Sequence, residues 1–301
     1  MFQKQNMMRK VIYSLIPVYL FSIYLYGWRA LAMAAVVFPL GIATEYFFTK
    51  RNNKKVSEAV LVTCTLFTLS MPPLVPLWIA GIGIVFGVMF GKAIYGGFGR
   101  NVFNPAITGR LFIYITFPLL MTTSWMTPGR FGTLGADAVS GATSLELMRT
   151  GQIPELADLF FGFRMGTLGG SAIFLIILGA VYLLVTKTAS WRSMAAMLIS
   201  FLALQSLFYY SGIIQAPPLH SLMSGSVLFV GVFMVTDPIS SPKKNLALFL
   251  YGIIIGISVA LIRTYSLFPE GTSFGILMGN MFAPLLDELA AKTEKKKRVK
   301  A

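Results

Sequence analysis

Apolar residues fall in ten long blocks along this chain, with most polar positions gathered in the short stretches between them. The first five blocks predict membrane segments over Val11–Tyr26, Trp28–Phe48, Val56–Ser70, Leu77–Gly91 and Pro105–Met121. The second five predict segments over Gly166–Thr186, Met194–Tyr210, Leu222–Thr236, Leu246–Ile262 and Thr272–Leu289. Several hold only about 15 residues, short of the roughly 20 that a straight crossing needs. Gly and Pro are abundant at their ends, which predicts helices broken near the bilayer middle. Membranes tolerate such breaks where the freed backbone is buried in protein or lines a cavity.

Composition agrees: the 301 residues are 56% hydrophobic and 12% charged, against about 25% charged in soluble domains, and mean hydropathy is +0.74. An integral membrane protein is expected, with no cleavable signal peptide evident behind the basic start. The net charge of +14 does not point to nucleic acid, because the excess sits in short loops between apolar blocks, as the positive-inside rule predicts. With both termini cytoplasmic, every lysine falls inside, Arg110 counts as inside at a helix start, and only Arg29, Arg130, Arg149, Arg164 and Arg263 fall outside. The long loop 122–165 is then on the outer face of the cytoplasmic membrane.

The chain also matches itself at an offset of 166 residues. Pro72 and Pro76 fall on Pro238 and Pro242, Gly109 and Leu111 on Gly275 and Leu277, and Pro118-Leu-Leu on Pro284-Leu-Leu. Because each half holds an odd number of spans, the second half must be inverted relative to the first, and such repeats place a ligand pathway between the halves. The expected fold is therefore an all-α integral membrane protein of about ten transmembrane helices in two inverted five-helix repeats, urea-transporter-like, with broken helices. It forms one domain: repeat one over about 11–121, the outer loop over 122–165, repeat two over about 166–291 and a basic cytoplasmic tail over 292–301.

Candidate chemistry is sparse. One cysteine, Cys64, and one histidine, His220, cannot build a disulfide, an Fe–S centre or a zinc site; Cys64 reads as a small buried residue and His220 as an outer-loop residue. Gly96-Gly97-Phe98-Gly99-Arg100 is Gly-rich but follows no strand, so it fails as a dinucleotide loop. Any redox work must come from an organic cofactor. Asn104-Pro105 reads as a helix start, with Asn as cap and Pro in first position. Asp237 ends a span, where capping does not explain it, and an ionisable group at a broken membrane helix is a functional candidate. Glu45 and Glu58 lie close to the basic inner loop and are expected to pair with it. In the outer loop, Asp137-Ala-Val-Ser140-Gly141-Ala142-Thr143 reads locally as a small-residue turn capping a short helix that begins near Ser144.

Three passages carry a resemblance: Tyr95-Gly-Gly-Phe-Gly-Arg-Asn101-Val-Phe-Asn104-Pro105-Ala106, the 137–143 segment, and Phe233-Met-Val-Thr236-Asp237-Pro238. In order and spacing they resemble the flavin-bearing membrane subunits that include the D subunit of the Rnf ferredoxin:NAD oxidoreductase and the B subunit of the sodium-pumping NADH:quinone oxidoreductase. The resemblance implies that a flavin transferase joins FMN to Thr143 through a phosphoester, with Asp137, Ser140, Gly141 and Ala142 completing the tag. It implies a second, non-covalent flavin, riboflavin, nearer the cytoplasm, held by Asn101, Asn104 and Asp237. A phosphate charge left on the ester would draw Arg130, Arg149 or Arg164. Because the first span begins after ten residues, the Rnf member is favoured. The expected role is then an electron-transfer subunit in a complex coupling ferredoxin:NAD electron transfer to sodium or proton export. Its partners would be Fe–S and flavin-bearing membrane subunits and a cytoplasmic NAD-site subunit. The alternatives are the quinone-reducing B subunit and a small-solute channel, for which Thr143 would have no use.

Overall fold

The computed structural model describes residues 2–51, 54–129, 141–266 and 271–300. Among them the chain is helical except for loops and one two-residue parallel pair, β1 (Phe2–Gln3) beside β2 (Val56–Ser57). The first half runs α1 (Asn6–Tyr26), α2 (Trp28–Arg51), α3 (Ala59–Leu69), α4 (Leu77–Val88), α5 (Pro105–Thr116) and α6 (Pro118–Thr123), and a π-helical turn over Met89–Ala93 prolongs α4. The long connection carries α7 (Ser144–Arg149) and α8 (Leu156–Phe161). The second half runs α9 (Ile173–Val185), α10 (Trp191–Tyr210), α11 (Pro218–Met223), α12 (Val227–Phe233), α13 (Asn245–Tyr265) and α14 (Thr272–Lys300).

Five helices (α1, α2, α10, α13 and α14) are long and apolar enough to cross a membrane, and α3, α4 and α9 are shorter apolar helices. Their outward faces carry exposed Leu20, Tyr24, Phe47, Ile199 and Leu207, side chains that only a lipid surround accommodates in such number. The chain is a multi-pass helical membrane protein.

The short elements sit where breaks were predicted. Every residue of α3 except Leu61 is buried, yet at 1.5 Å per residue α3 rises only about 16 Å, roughly half the hydrocarbon thickness. Its end is satisfied by protein: Gly169 N–H donates to the Leu69 carbonyl (2.7 Å) and Leu168 N–H to that of Met71 (3.0 Å). Gly169 is required there, since a Cβ would lie 2.7 Å from that of Leu69. On the other side of the break, α4 and α5 approach at Gly109, where a Cβ would meet the Gly83 carbonyl oxygen. This small-residue contact fixes the start of α5 beside the end of α4.

Several expectations need correction. The segment Pro105–Met121 splits into α5 and α6 at Phe117, because Pro118 has no N–H to continue the ladder. Residues 166–172 are not helical, and α9 begins at Ile173. His220 lies in α11, behind Pro218 in first position, rather than in a loop. The basic stretch 292–300 continues α14, helped by the Glu288–Lys292 pair one turn apart (2.7 Å). Cys64 is fully buried, as expected, with its Sγ 3.7 Å from the Val37 carbonyl.

Candidate functional site

Asn101, Asn104 and Asp237 line one cleft, on the side of the protein that carries the β1–β2 pair. The cleft lies between α1, α3, α5 and the end of α12, and its volume is only about 50 Å³. Phe98 and Phe233 supply aromatic wall, and Lys92 and Thr63 supply further polar atoms. Phe98 is held there by a turn in which Gly96, Gly97 and Gly99 all have positive φ, which a side chain would strain.

The three polar side chains are partly used by the fold. Asn104 caps α5 as expected: its Oδ1 accepts from Ala106 N–H (3.0 Å) and Ile107 N–H (3.4 Å), and Pro105 takes the first position. Asp237 caps no helix, as expected, but closes a turn. Its Oδ1 accepts from Ile239 N–H (3.2 Å) and its Oδ2 from the Ser240 hydroxyl (2.7 Å), because α12 ends early and the chain turns at once. Asn101 Nδ2 donates to the Phe103 carbonyl (3.2 Å). What stays available toward the cleft is the Asn101 carbonyl oxygen, the Asn104 amide nitrogen and the remaining acceptor capacity of Asp237. These match the alternating donors and acceptors of a flavin's pyrimidine edge.

Two groups that sequence reasoning missed stabilise this cleft. Asn280 of α14 accepts from the Asn104 N–H (3.1 Å) and donates to the Tyr251 hydroxyl (2.8 Å) and the Ser240 carbonyl (3.2 Å); an amide inside the apolar block of α14 was its only signal. Lys92, 2% exposed, donates to Glu45 Oε2 (2.6 Å) and the Ser57 hydroxyl (2.6 Å). Glu45 Oε1 also accepts from Ser57 N–H (3.0 Å). Glu58 pairs with Arg9, whose Nε lies 2.9 Å from Oε2. Both glutamates thus find basic partners, on the end of α4 and on α1 rather than in the 50–55 stretch. The Arg9 guanidinium and the Gln5 N–H hold the Glu58 carboxyl below its ordinary range.

On the opposite side Thr143 precedes α7. Its hydroxyl accepts from Glu146 N–H (3.3 Å) and lies 3.1 Å from Glu146 Oε2, which also accepts from Thr143 N–H (2.8 Å), making a capping box. The local reading of this segment as a helix cap therefore holds. Gly141 packs so closely on Met165 that a Cβ would lie 2.6 Å from its Cε. Asp137, Ser140 and Arg130 lie outside the described residues.

Arginines surround α7. Arg164 donates to the Ser144 hydroxyl (3.1 Å) and the Gly170 carbonyl (2.7 Å). Arg263 donates to the Ser221 and Ser224 carbonyls (3.0 and 3.3 Å), and Arg149 to those of Arg263 and Ser266 (2.7 and 2.9 Å). Arg110, counted with the inner side from sequence, is instead fully buried and donates to the Ser273 hydroxyl (3.3 Å). The reason is that α5 starts within the body and not at its surface. Among the described residues no carboxylate lies within ion-pair distance of Arg149, Arg164 or Arg263.

A helical membrane body with a polar cleft toward one side and a cation-rich cluster toward the other is a multi-pass integral membrane protein with two separate polar regions. The chain belongs to the NQR2, RnfD, RnfE family, whose model matches residues 2–296. It is 34% identical over 282 residues to the B subunit of the Na(+)-translocating NADH-quinone reductase of Azotobacter vinelandii, covering 89% of this chain and 68% of that one. To the protein of the same name from Ectopseudomonas mendocina it is 36% identical, with the same coverage. These relatives overturn the expectation of an Rnf-type ferredoxin:NAD role. That expectation leaned on where the first span begins, and the length ahead of a membrane body does not measure which electron acceptor the body serves.

Proposed function

We propose that this chain is an electron-carrying membrane subunit of a sodium-translocating NADH:quinone oxidoreductase, bearing FMN esterified to Thr143 and riboflavin in the Asn101–Asn104–Asp237 cleft. The observation that carries the reading is the convergence of Asn101 and Asn104 with the sequence-distant Asp237 on a single cleft in a chain whose relatives bear that name. A flavin supplies one- and two-electron chemistry that no side chain here offers.

The chain's own groups do the holding. Thr143 offers its hydroxyl, and Asp137, Ser140, Gly141 and Ala142 form the tag that a flavin transferase reads. Once esterified, the Thr143 oxygen can still accept from the Glu146 N–H but has no proton to donate, so the Glu146 carboxylate must turn away from the phosphate. At the other cleft, Asn101, Asn104 and Asp237 grip the pyrimidine edge, and Phe98 shifts to admit the ring. Other subunits of such a complex are the partners.

The internal repeat supports two inverted halves. Shifted by about 166 residues, α1 to α5 fall on α9, α10, α12, α13 and α14. In the first half α1 packs on α3, α2 on α4 and α4 on α5; in the second, α9 packs on α12, α10 on α13 and α13 on α14. The halves meet through α1 on α9 and α5 on α14, each helix against its own counterpart. The clustering of lysines at the β1–β2 side supports a cytoplasmic placement for it, with Thr143 outside.

The test is mass analysis of the Thr143 peptide from membranes of a cell that also makes the flavin transferase, alongside in-gel flavin fluorescence. The expected result is FMN mass on that peptide and loss of fluorescence in Thr143→Ala, with membrane insertion intact and about 1 kcal/mol of capping stability lost. An unmodified peptide from wild-type protein overturns the reading.

A further inference from the structure

A second cleft opens between α7, α10 and α13, on the Thr143 side. Its volume is about 250 Å³, several times that of the riboflavin cleft. Leu145 and Met148 of α7 and Ile213 and Ile214 form apolar wall. Six polar side chains break that wall: Gln205, Gln215, Ser221 and Thr264, and the two cations Arg149 and Arg263.

Gln205 is the informative one. It sits in α10 and is 3% exposed, yet its side-chain amide makes no hydrogen bond among the described residues. Its amide lines the cleft and is open there to a hydrogen bond from whatever occupies the space. Arg263, 7% exposed, likewise has an Nε with no partner, and neither it nor Arg149 is neutralised by a described carboxylate. The lining therefore asks for a flat, largely apolar body with carbonyl acceptors along one edge and a tendency to carry negative charge.

We propose that this cleft is the berth of the isoalloxazine ring of the flavin carried on Thr143, with Gln205 hydrogen-bonding its pyrimidine edge and Arg149 and Arg263 favouring its reduced, negatively charged form. The proposal rests on the reading of Thr143 given above. Reach permits it: Thr143 caps the helix whose Leu145, Met148 and Arg149 line the cleft, and Arg149 lies about 9 Å along the axis from the cap. A five-carbon ribityl chain with its phosphate bridges such a span. The apolar walls sandwich the ring and keep water from it, while positive charge beside the pyrimidine edge raises its reduction potential.

The test uses the full chain, matured by its flavin transferase and purified in detergent, as wild type, Arg149→Gln and Gln205→Leu. Both substitutions leave Thr143 and its tag untouched. Covalent flavin is counted on the Thr143 peptide, the midpoint potential of that flavin is titrated, and its exposure is read by iodide quenching of its fluorescence. Expected are wild-type labelling in both variants and a reduced form about tenfold less favoured in Arg149→Gln. For two electrons that is a midpoint about 30 mV lower. Stronger iodide quenching is expected in Gln205→Leu. Unchanged potential and unchanged quenching in both labelled variants overturn the berth while leaving flavin on Thr143 standing. Labelling lost in a variant whose folded fraction is unchanged also overturns it. An unlabelled wild-type peptide instead removes the reading beneath it.

Discussion

The two sides of this protein handle buried cations in opposite ways. Toward the β1–β2 pair buried Lys92 meets Glu45, and half-buried Arg9 and Lys244 meet Glu58 and Glu294. Toward α7 the guanidiniums of Arg149, Arg164 and Arg263 meet carbonyls and hydroxyls, which cancel no charge and leave the Nε of Arg164 and of Arg263 without a partner. The first arrangement closes a structure, and the second leaves positive potential for an anion to complete. The same contrast holds for the clefts. Near Asp237 the polar side chains already serve a helix cap and turns and little room is left, whereas near α7 the Gln205 amide faces open space without a partner.

The largest effect expected from breaking this contrast comes from Lys92. Lys92→Ala strands Glu45 in a site where it is 3% exposed, and removing one partner of a buried pair costs about 3–5 kcal/mol. Thermal unfolding in detergent should show a large drop in Tm, and Arg149→Gln, which strands no carboxylate, should show little. Equal losses in the two variants would erase the distinction between the sides. The double variant Lys92→Met with Glu45→Gln should recover much of the lost stability, because it leaves no unpaired charge.

An intermediate effect is expected at Asp237. Asp237→Ala should release the non-covalent flavin, read by extraction and chromatography, while the covalent flavin on Thr143 stays. Asp237→Asn keeps an oxygen for the Ile239 N–H and so separates turn closure from charge. Retention of both flavins in Asp237→Ala would take Asp237 out of the site.

The sequence made the helices legible because apolar blocks and Pro and Gly breakers are local signals. Leu77, Pro105 and Thr272 begin helices where they were expected to. It misjudged the consequences of depth. Arg110 looked like an inner-face residue because it lies near the start of its block, but α5 begins inside the body, and only the packing of Gly109 on Gly83 fixes how deep that start lies. Asn101, Asn104 and Asp237 were found through family passages, and the fold brought them together. Gln205 and Asn280 were not found, since one amide in an apolar block carries no pattern; only its neighbours tell whether it is satisfied, as Asn280 is, or open, as Gln205 is.

The smallest effect concerns acid, and it again separates the two sides. The Glu58 carboxyl is held below the ordinary carboxylate range, chiefly by its hydrogen bonds to Arg9 and to the Gln5 N–H. A depressed folded value contributes stability that is fully present above the unfolded value, near 4.3 for a glutamate, and is lost as pH falls through the folded value. Acid below about pH 4 should therefore loosen the junction of β1, α1 and α3 that Glu58 ties together, while the arginines around α7, which have no described carboxylate to protonate, stay as they are. Hydrogen exchange along residues 3–9 and 56–60 should rise at pH 3.5 relative to pH 6 once corrected for intrinsic rates, more than exchange in α7. Glu58→Gln should remove that pH dependence and raise exchange modestly at both values. A uniform response across both sides would mean that Glu58 is an ordinary surface partner and that the paired and unpaired sides do not differ in what protons can break.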